Sequence, residues 1–150
     1  MRSDIHDILQ KYWGYTRFRP LQEEIIRSVL SGKDTLALMP TGGGKSITFQ
    51  VPALALEGMA IIISPLIALM VDQVENLQQR NIEAAAIHSG LTQREIELIL
   101  HRCIYKKDIK LLYVSPERLQ TQSFREKLAK MSISFVAVDE AHCISQWGYD

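Results

Sequence analysis

Met39-Pro40-Thr41-Gly42-Gly43-Gly44-Lys45-Ser46 decides how this chain is read. It follows a short apolar run, Thr35-Leu36-Ala37-Leu38, that predicts a buried strand, and it runs into Ile47 to Leu56, which predicts a helix. A strand, a glycine loop, Lys-Ser and a helix together form a phosphate cradle. Gly42, Gly43 and Gly44 have no Cβ, so their backbone can take positive φ and turn several N–H groups toward one anion. The helix N-terminus adds partial positive charge at the same place. Lys45 is expected to reach the β- and γ-phosphates, and the Ser46 hydroxyl to bind Mg²⁺. The generic pattern asks for glycine where Met39 stands.

The composition narrows the class. With 47% hydrophobic residues in 150, the chain can fill a core and is not a disordered segment. Its 17 basic residues balance its 17 acidic ones, so no net field points to nucleic acid, although a local groove can still be basic. Cys103 and Cys143 fit no metal-ligand spacing and are expected as free thiols. No signal peptide opens the sequence, and no apolar run approaches the roughly 20 residues of a membrane span. These features predict a soluble protein with no membrane partner, cytoplasmic and nucleoid-associated or nuclear according to the organism.

Apolar spacing predicts a helix over 4–12 behind a Ser3/Asp4 cap, broken at Gly14. Pro20 opens a second, with Leu21, Ile25, Ile26, Val29 and Leu30 on one face, and the Ser31–Asp34 turn ends it. Beyond the phosphate loop, strands are expected at 60–63, 84–87, 110–114 and 135–138. Helices are expected from Leu66 to Gln79, after a Thr92/Glu95 capping box, and around Phe124, Leu128 and Met131. Strands alternating with helices imply right-handed crossovers and a mostly parallel α/β sheet.

The last strand runs into Asp139-Glu140-Ala141-His142. Parallel sheets bind ligands at the carboxyl ends of their strands. Asp139 is expected to hold Mg²⁺, usually through water, and Glu140 to orient or deprotonate the attacking water.

At this point the chain resembles the first RecA-like domain of superfamily 2 helicases, and closely the RecQ family of DNA helicases. The residues that carry the resemblance are Phe18-Arg19-Pro20-Leu21-Gln22, Met39 to Ser46 and Ser64-Pro65-Leu66-Ile67-Ala68-Leu69-Met70. Val114-Ser115-Pro116-Glu117-Arg118-Leu119 and Asp139 to Gly148 complete the set, so nearly the whole chain is covered. In that family Met-Pro-Thr precedes the glycines, which accounts for Met39 and includes Thr41 in the loop. The resemblance implies a helical lead-in, 1–31, that reads adenine, followed by a RecA-like domain over 32–150 that is incomplete at its C-terminus.

Several roles rest on the resemblance alone. Gln22 would read the adenine edge while Arg19 and Tyr15 pack on the base; an isolated glutamine would otherwise be an ordinary polar residue at a helix start. Ser64-Pro65 and Ser115 to Arg118 would belong to a track for single-stranded DNA, with His88-Ser89-Gly90 beside it. Taken singly, proline punctuation after a strand explains each as well. Ser145-Gln146-Trp147-Gly148-Tyr149 resembles the aromatic loop linking DNA binding to hydrolysis, with Tyr149 where the family usually has histidine. His142, between the acids and Trp147, is either a relay or structural.

The sequence stops inside that loop, so a fragment of a longer enzyme is expected. The implied activity is ATP-dependent 3′ to 5′ unwinding of DNA, using ATP and Mg²⁺ on single-stranded and forked substrates. A second RecA-like domain would supply arginines to the γ-phosphate. The alternatives are a related translocase or RNA helicase, and a nucleotide-binding module inactive on its own.

Overall fold

The computed structural model describes residues 4–32 and 44–139. The strand expected at 35–38 lies outside them. The chain divides into two compact units, 1–57 and 58–150. The division falls after the helix that follows the phosphate loop, so that helix groups with the lead-in.

The first unit is helical. α1 (Ile5–Trp13) starts at Asp4, whose carboxylate accepts the His6 N–H at 2.7 Å, and Gly14 closes it by donating its N–H to the Gln10 carbonyl. α2 (Gln22–Leu30) and α3 (Ile47–Ala55) follow. Ile5, Ile8 and Leu9 pack with Ile26 and with Ile47, Val51 and Ala55 into one apolar cluster. α3 is apolar on nearly every side and is buried on nearly every side, as such a helix must be.

α2 departs from the expected face at its start. Leu21 lies just outside the helix at φ 73 and is 56% exposed, so it does not join Ile26 in the core. The cause is a closed turn, in which the Gln22 N–H donates to the Arg19 carbonyl at 3.1 Å. The Gln22 side chain takes the buried position that periodicity had given to leucine.

The second unit is a parallel sheet. β1 (Met59–Ile63), β2 (Ala84–Ile87), β3 (Leu111–Val114) and β4 (Ile133–Val138) run in the order β2-β3-β1-β4. Every described pairing is parallel. Central β1 is an almost continuous aliphatic run, as a strand covered on both faces requires. Gly58 leads into it at φ +87, where an added Cβ would lie 2.6 Å from the Ser132 carbonyl oxygen.

Helices cover both faces. On one, Ile61, Leu112, Val114, Ala85 and Ile87 pack against α5 (Gln93–His101) and Phe124 of α7 (Gln122–Leu128). On the other lies α4 (Ile67–Gln79), with Met70, Val74 and Leu77 inward. Leu66 ends up at the N-cap of α4, 47% exposed, rather than on the inward stripe. The Thr92/Glu95 capping box forms as expected, with both reciprocal bonds present.

Two elements went unforeseen. α5 continues as a π-helical turn, Arg102–Lys106, closed by the Lys107 N–H on the Arg102 carbonyl at 2.7 Å. Arg102 there reaches Asp108 at 2.9 Å and Glu83 at 2.8 Å, which holds the wider turn against the start of β2. A short α6 (Pro116–Leu119) follows β3, opened by Pro116 at its first position.

Candidate functional site

In the first unit, Gly44 takes φ +79, and a Cβ there would run into the Gln22 amide nitrogen. Glycine at 44 is therefore favoured by conformation, and a side chain there would also have to displace the Gln22 amide. Gln22 is 2% exposed, and its amide bridges two backbone segments. Its Oε1 accepts the Arg19 N–H at 2.7 Å, and its Nε2 donates to the Gly44 carbonyl at 3.0 Å. The glutamine thus fastens the segment before α2 to the end of the phosphate loop. Tyr15 is 54% exposed and Arg19 is also exposed, so both can be reached by a base.

Lys45 and Ser46 lead into α3. The Lys45 carbonyl accepts both the Thr48 N–H and the Thr48 hydroxyl, and the Ser46 carbonyl accepts the Gln50 N–H at 2.9 Å. Ser46 occupies the N-cap position, yet its side chain makes no capping bond. Its hydroxyl is not spent on the helix in the usual way.

In the second unit, strand register brings four candidate site residues to one edge. Ile63 pairs with Val114 and with Val138, and Ile87 pairs with Val114. The next residues, His88, Ser115, Ser64 and Asp139, therefore follow the carboxyl ends of β2, β3, β1 and β4. Three are pinned by one further ladder bond each. The Asp139 N–H donates to Ile63 at 2.8 Å, Ser64 to Val114 at 3.0 Å, and Ser115 to Ile87 at 3.4 Å.

Burial separates their roles. Asp139 is 4% exposed, Ser64 1% and Ser115 2%. The two hydroxyls therefore lie inside the sheet edge, and the Ser64 oxygen accepts the Leu66 N–H at 3.4 Å. Exposed in these segments are Leu66, Ile67 and Glu117, with Pro65 and Arg118 half-buried. His88 accepts the Gly90 N–H on Nδ1 at 3.0 Å.

Sequence reasoning missed two residues at this edge. Gln73 of α4 donates from Nε2 to Asp139 Oδ2 at 3.5 Å, and its Oε1 accepts the Tyr113 hydroxyl at 2.7 Å. A signal existed: Gln73 interrupts the apolar stripe between Met70 and Leu77 at helical spacing. Thr41, Gly42, Gly43, Glu140, His142, Gln146, Trp147 and Tyr149 lie outside the described residues.

The donor chemistry of the candidate residues, each taken in its own unit, is of the type that suits Mg²⁺. Among the described residues no three His, Cys, Asp or Glu side chains gather into a metal cage. Mg²⁺ needs none, because it takes one or two carboxylates, hydroxyl or water oxygens and substrate phosphates. The buried Asp139 carboxylate of the second unit is a hard oxygen donor of that kind; taken by itself, so is the Ser46 hydroxyl of the first, which makes no capping bond.

Comparison with known proteins adds the lineage. The DEAD/DEAH box helicase family matches residues 19–150. The chain is 49% identical over 144 residues to an ATP-dependent DNA helicase RecQ of Pasteurella multocida, covering 96% of this chain and 23% of the relative. It is 47% identical over 149 residues to a probable ATP-dependent DNA helicase RecS of Bacillus subtilis, covering 99% and 29%. A Caenorhabditis elegans ATP-dependent helicase, wrn-1, is 42% identical over 147 residues, covering 95% and 13%. The chain thus spans less than a third of each of these relatives. By the family match over nearly its whole length, the chain belongs to the DEAD/DEAH box helicases.

Proposed function

We propose that residues 1–150 are the ATP-binding part of a longer RecQ-type DNA helicase, which couples ATP hydrolysis to 3′ to 5′ strand separation. The observation that carries this reading is the buried Asp139 carboxylate at the carboxyl end of β4, beside the ends of β1 and β3. Ligand sites of parallel sheets lie at that edge. The relatives' names add DNA and ATP.

Gly44, Lys45 and Ser46, with Thr41, Gly42 and Gly43, would cradle the triphosphate at the start of α3. Ser46 and Asp139 would each offer an oxygen to Mg²⁺, which would neutralise phosphate charge when bound. Lys45 would place its ammonium on the same oxygens, and Glu140 would take the proton of the attacking water. Tyr15 and Arg19 would flank the adenine, whose edge Gln22 would meet.

The track for single-stranded DNA would use the outer surface of the segments after β1 and β3. Because Ser64 and Ser115 are buried, backbone N–H groups and Arg118 are the groups there that suit phosphate. Trp147 and Tyr149, with Gln146 and His142, would sense the strand by stacking and pass that to Glu140. A second RecA-like domain would bring arginine to the γ-phosphate.

The test is ATP hydrolysis by the full-length protein with single-stranded DNA or RNA added. DNA is expected to stimulate turnover strongly and RNA weakly, with Lys45→Ala removing both basal and stimulated rates. Preferential stimulation by RNA would favour an RNA helicase instead.

A further inference from the structure

We propose that Gln73 is a positioning residue for the metal-binding carboxylate, and that the Tyr113 hydroxyl orients the Gln73 amide that meets it. The proposal rests on the reading above, in which Asp139 holds Mg²⁺.

The polarity of the chain follows from chemistry. An ionised carboxylate only accepts hydrogen bonds, so the Gln73 group facing Asp139 Oδ2 must be the NH₂ end. That turns Oε1 the other way, where it can only accept, so the Tyr113 hydroxyl must donate. Tyr113 is fully buried on β3, with Ile62 and Ala86 as its register partners, and cannot turn away to water. The order is thus fixed from the sheet interior outward: hydroxyl, amide, carboxylate.

Gln73 stands where an aliphatic residue would complete the inward stripe of Met70, Val74 and Leu77. An amide there forgoes apolar burial, and what it makes instead is this bridge. Outer partners of this kind orient a ligand for its metal, and removing one typically weakens metal binding or activity about 10- to 100-fold. Gln73 also lies roughly two turns into α4, the helix that follows Ser64-Pro65. Any displacement of α4 therefore reaches Asp139 through a single side chain.

The test is Mn²⁺ binding to the full-length protein with a non-hydrolysable ATP analogue, followed by the paramagnetic resonance signal of free Mn²⁺. Gln73→Leu should weaken Mn²⁺ about tenfold. Tyr113→Phe, which keeps the buried ring, should weaken it measurably but less than Gln73→Leu, since the amide remains but is less firmly oriented. The double variant should lose less than the two single losses combined, because the hydroxyl's effect on the carboxylate through the amide is already gone in Gln73→Leu. Gln73→Glu, with its acceptor-only end toward Asp139, should not restore affinity. Wild-type Mn²⁺ affinity in Gln73→Leu would overturn the proposal, as would simple additivity in the double variant. Asp139→Asn separates the two levels. If it leaves Mn²⁺ binding intact, the reading of Asp139 fails and the proposal with it. If it abolishes binding while Gln73→Leu does not, only the proposal fails.

Discussion

At the scale of single residues, Gln22 is the position where sequence and structure say complementary things. The sequence offers an amide suited to an adenine edge, whereas the structure has the same amide joining Arg19 to Gly44. In the proposed reading one side chain would bear on both base and phosphate loop. Gln22→Ala should narrow the preference for ATP over GTP, by up to about 1–3 kcal/mol. It should also weaken binding of tripolyphosphate, because the Gly44 carbonyl loses its partner. Calorimetric titration of the full-length protein with ATP, GTP and tripolyphosphate measures both effects. Loss of discrimination with unchanged tripolyphosphate binding would mean the bridge to Gly44 is dispensable. Cys103 gives a second residue-scale expectation. Burial pushes its thiol up to about 12, so it should resist alkylation at pH 8 until the protein unfolds. Peptide mapping after timed labelling shows this, and rapid native labelling at Cys103 would contradict it.

At the scale of elements, the helix borders tied to side-chain chemistry were legible and those tied to tertiary contacts were not. Thr92 and Glu95 stand three apart before an apolar stripe, and the capping box forms there. Thr92→Ala should lower unfolding free energy by about 1 kcal/mol, read by urea denaturation. The Thr92 backbone N–H, and then its side chain, hold the Glu95 carboxyl below its ordinary value. The folded value is depressed, so this contribution is present above the unfolded value and is lost as pH falls through the folded one. Glu95→Gln should therefore cost stability at neutral pH and little in strong acid, and equal losses at both would contradict the box. The Asp139 edge was legible too, since a strand ending in Asp-Glu places acids at the carboxyl end of a parallel sheet. The π-helical turn was not. It depends on Arg102 meeting Asp108 and Glu83, the latter 19 positions away, and no local pattern announces such a meeting. Leu21 and Gln22 exchange inside and outside for a similar reason. Periodicity favours the leucine, while the turn through Arg19 and the bond to Gly44 favour the amide. Gln73 shows the converse: its break in the apolar stripe was visible, but its partners required the fold.

At the scale of the molecule, four parallel strands carry His88, Ser115, Ser64 and Asp139 in a row, while a helical unit carries Gln22, Gly44, Lys45 and Ser46. The proposed reaction needs more than these. Residues 1–150 alone should hydrolyse ATP negligibly, because an arginine delivered across the cleft is worth about 10³–10⁵ in rate in related phosphoryl transfers. Robust DNA-stimulated turnover by this segment would mean the cleft is completed otherwise, for instance by a second copy. In the full-length protein, Trp147→Ala should leave basal hydrolysis nearly intact and remove most of its stimulation by DNA. Equal loss of both rates would make Trp147 a support of the fold. In the proposed helicase, ATP hydrolysis at Lys45, Asp139 and Glu140 would drive DNA strand separation. The most direct test of that coupling is separation of a forked DNA duplex by the full-length protein, wild type beside Glu140→Gln. ATP-dependent separation is expected of the wild type, and none of Glu140→Gln, although that variant should still bind Mg-ATP. Separation that proceeds in Glu140→Gln, or that needs no ATP in the wild type, would contradict that coupling.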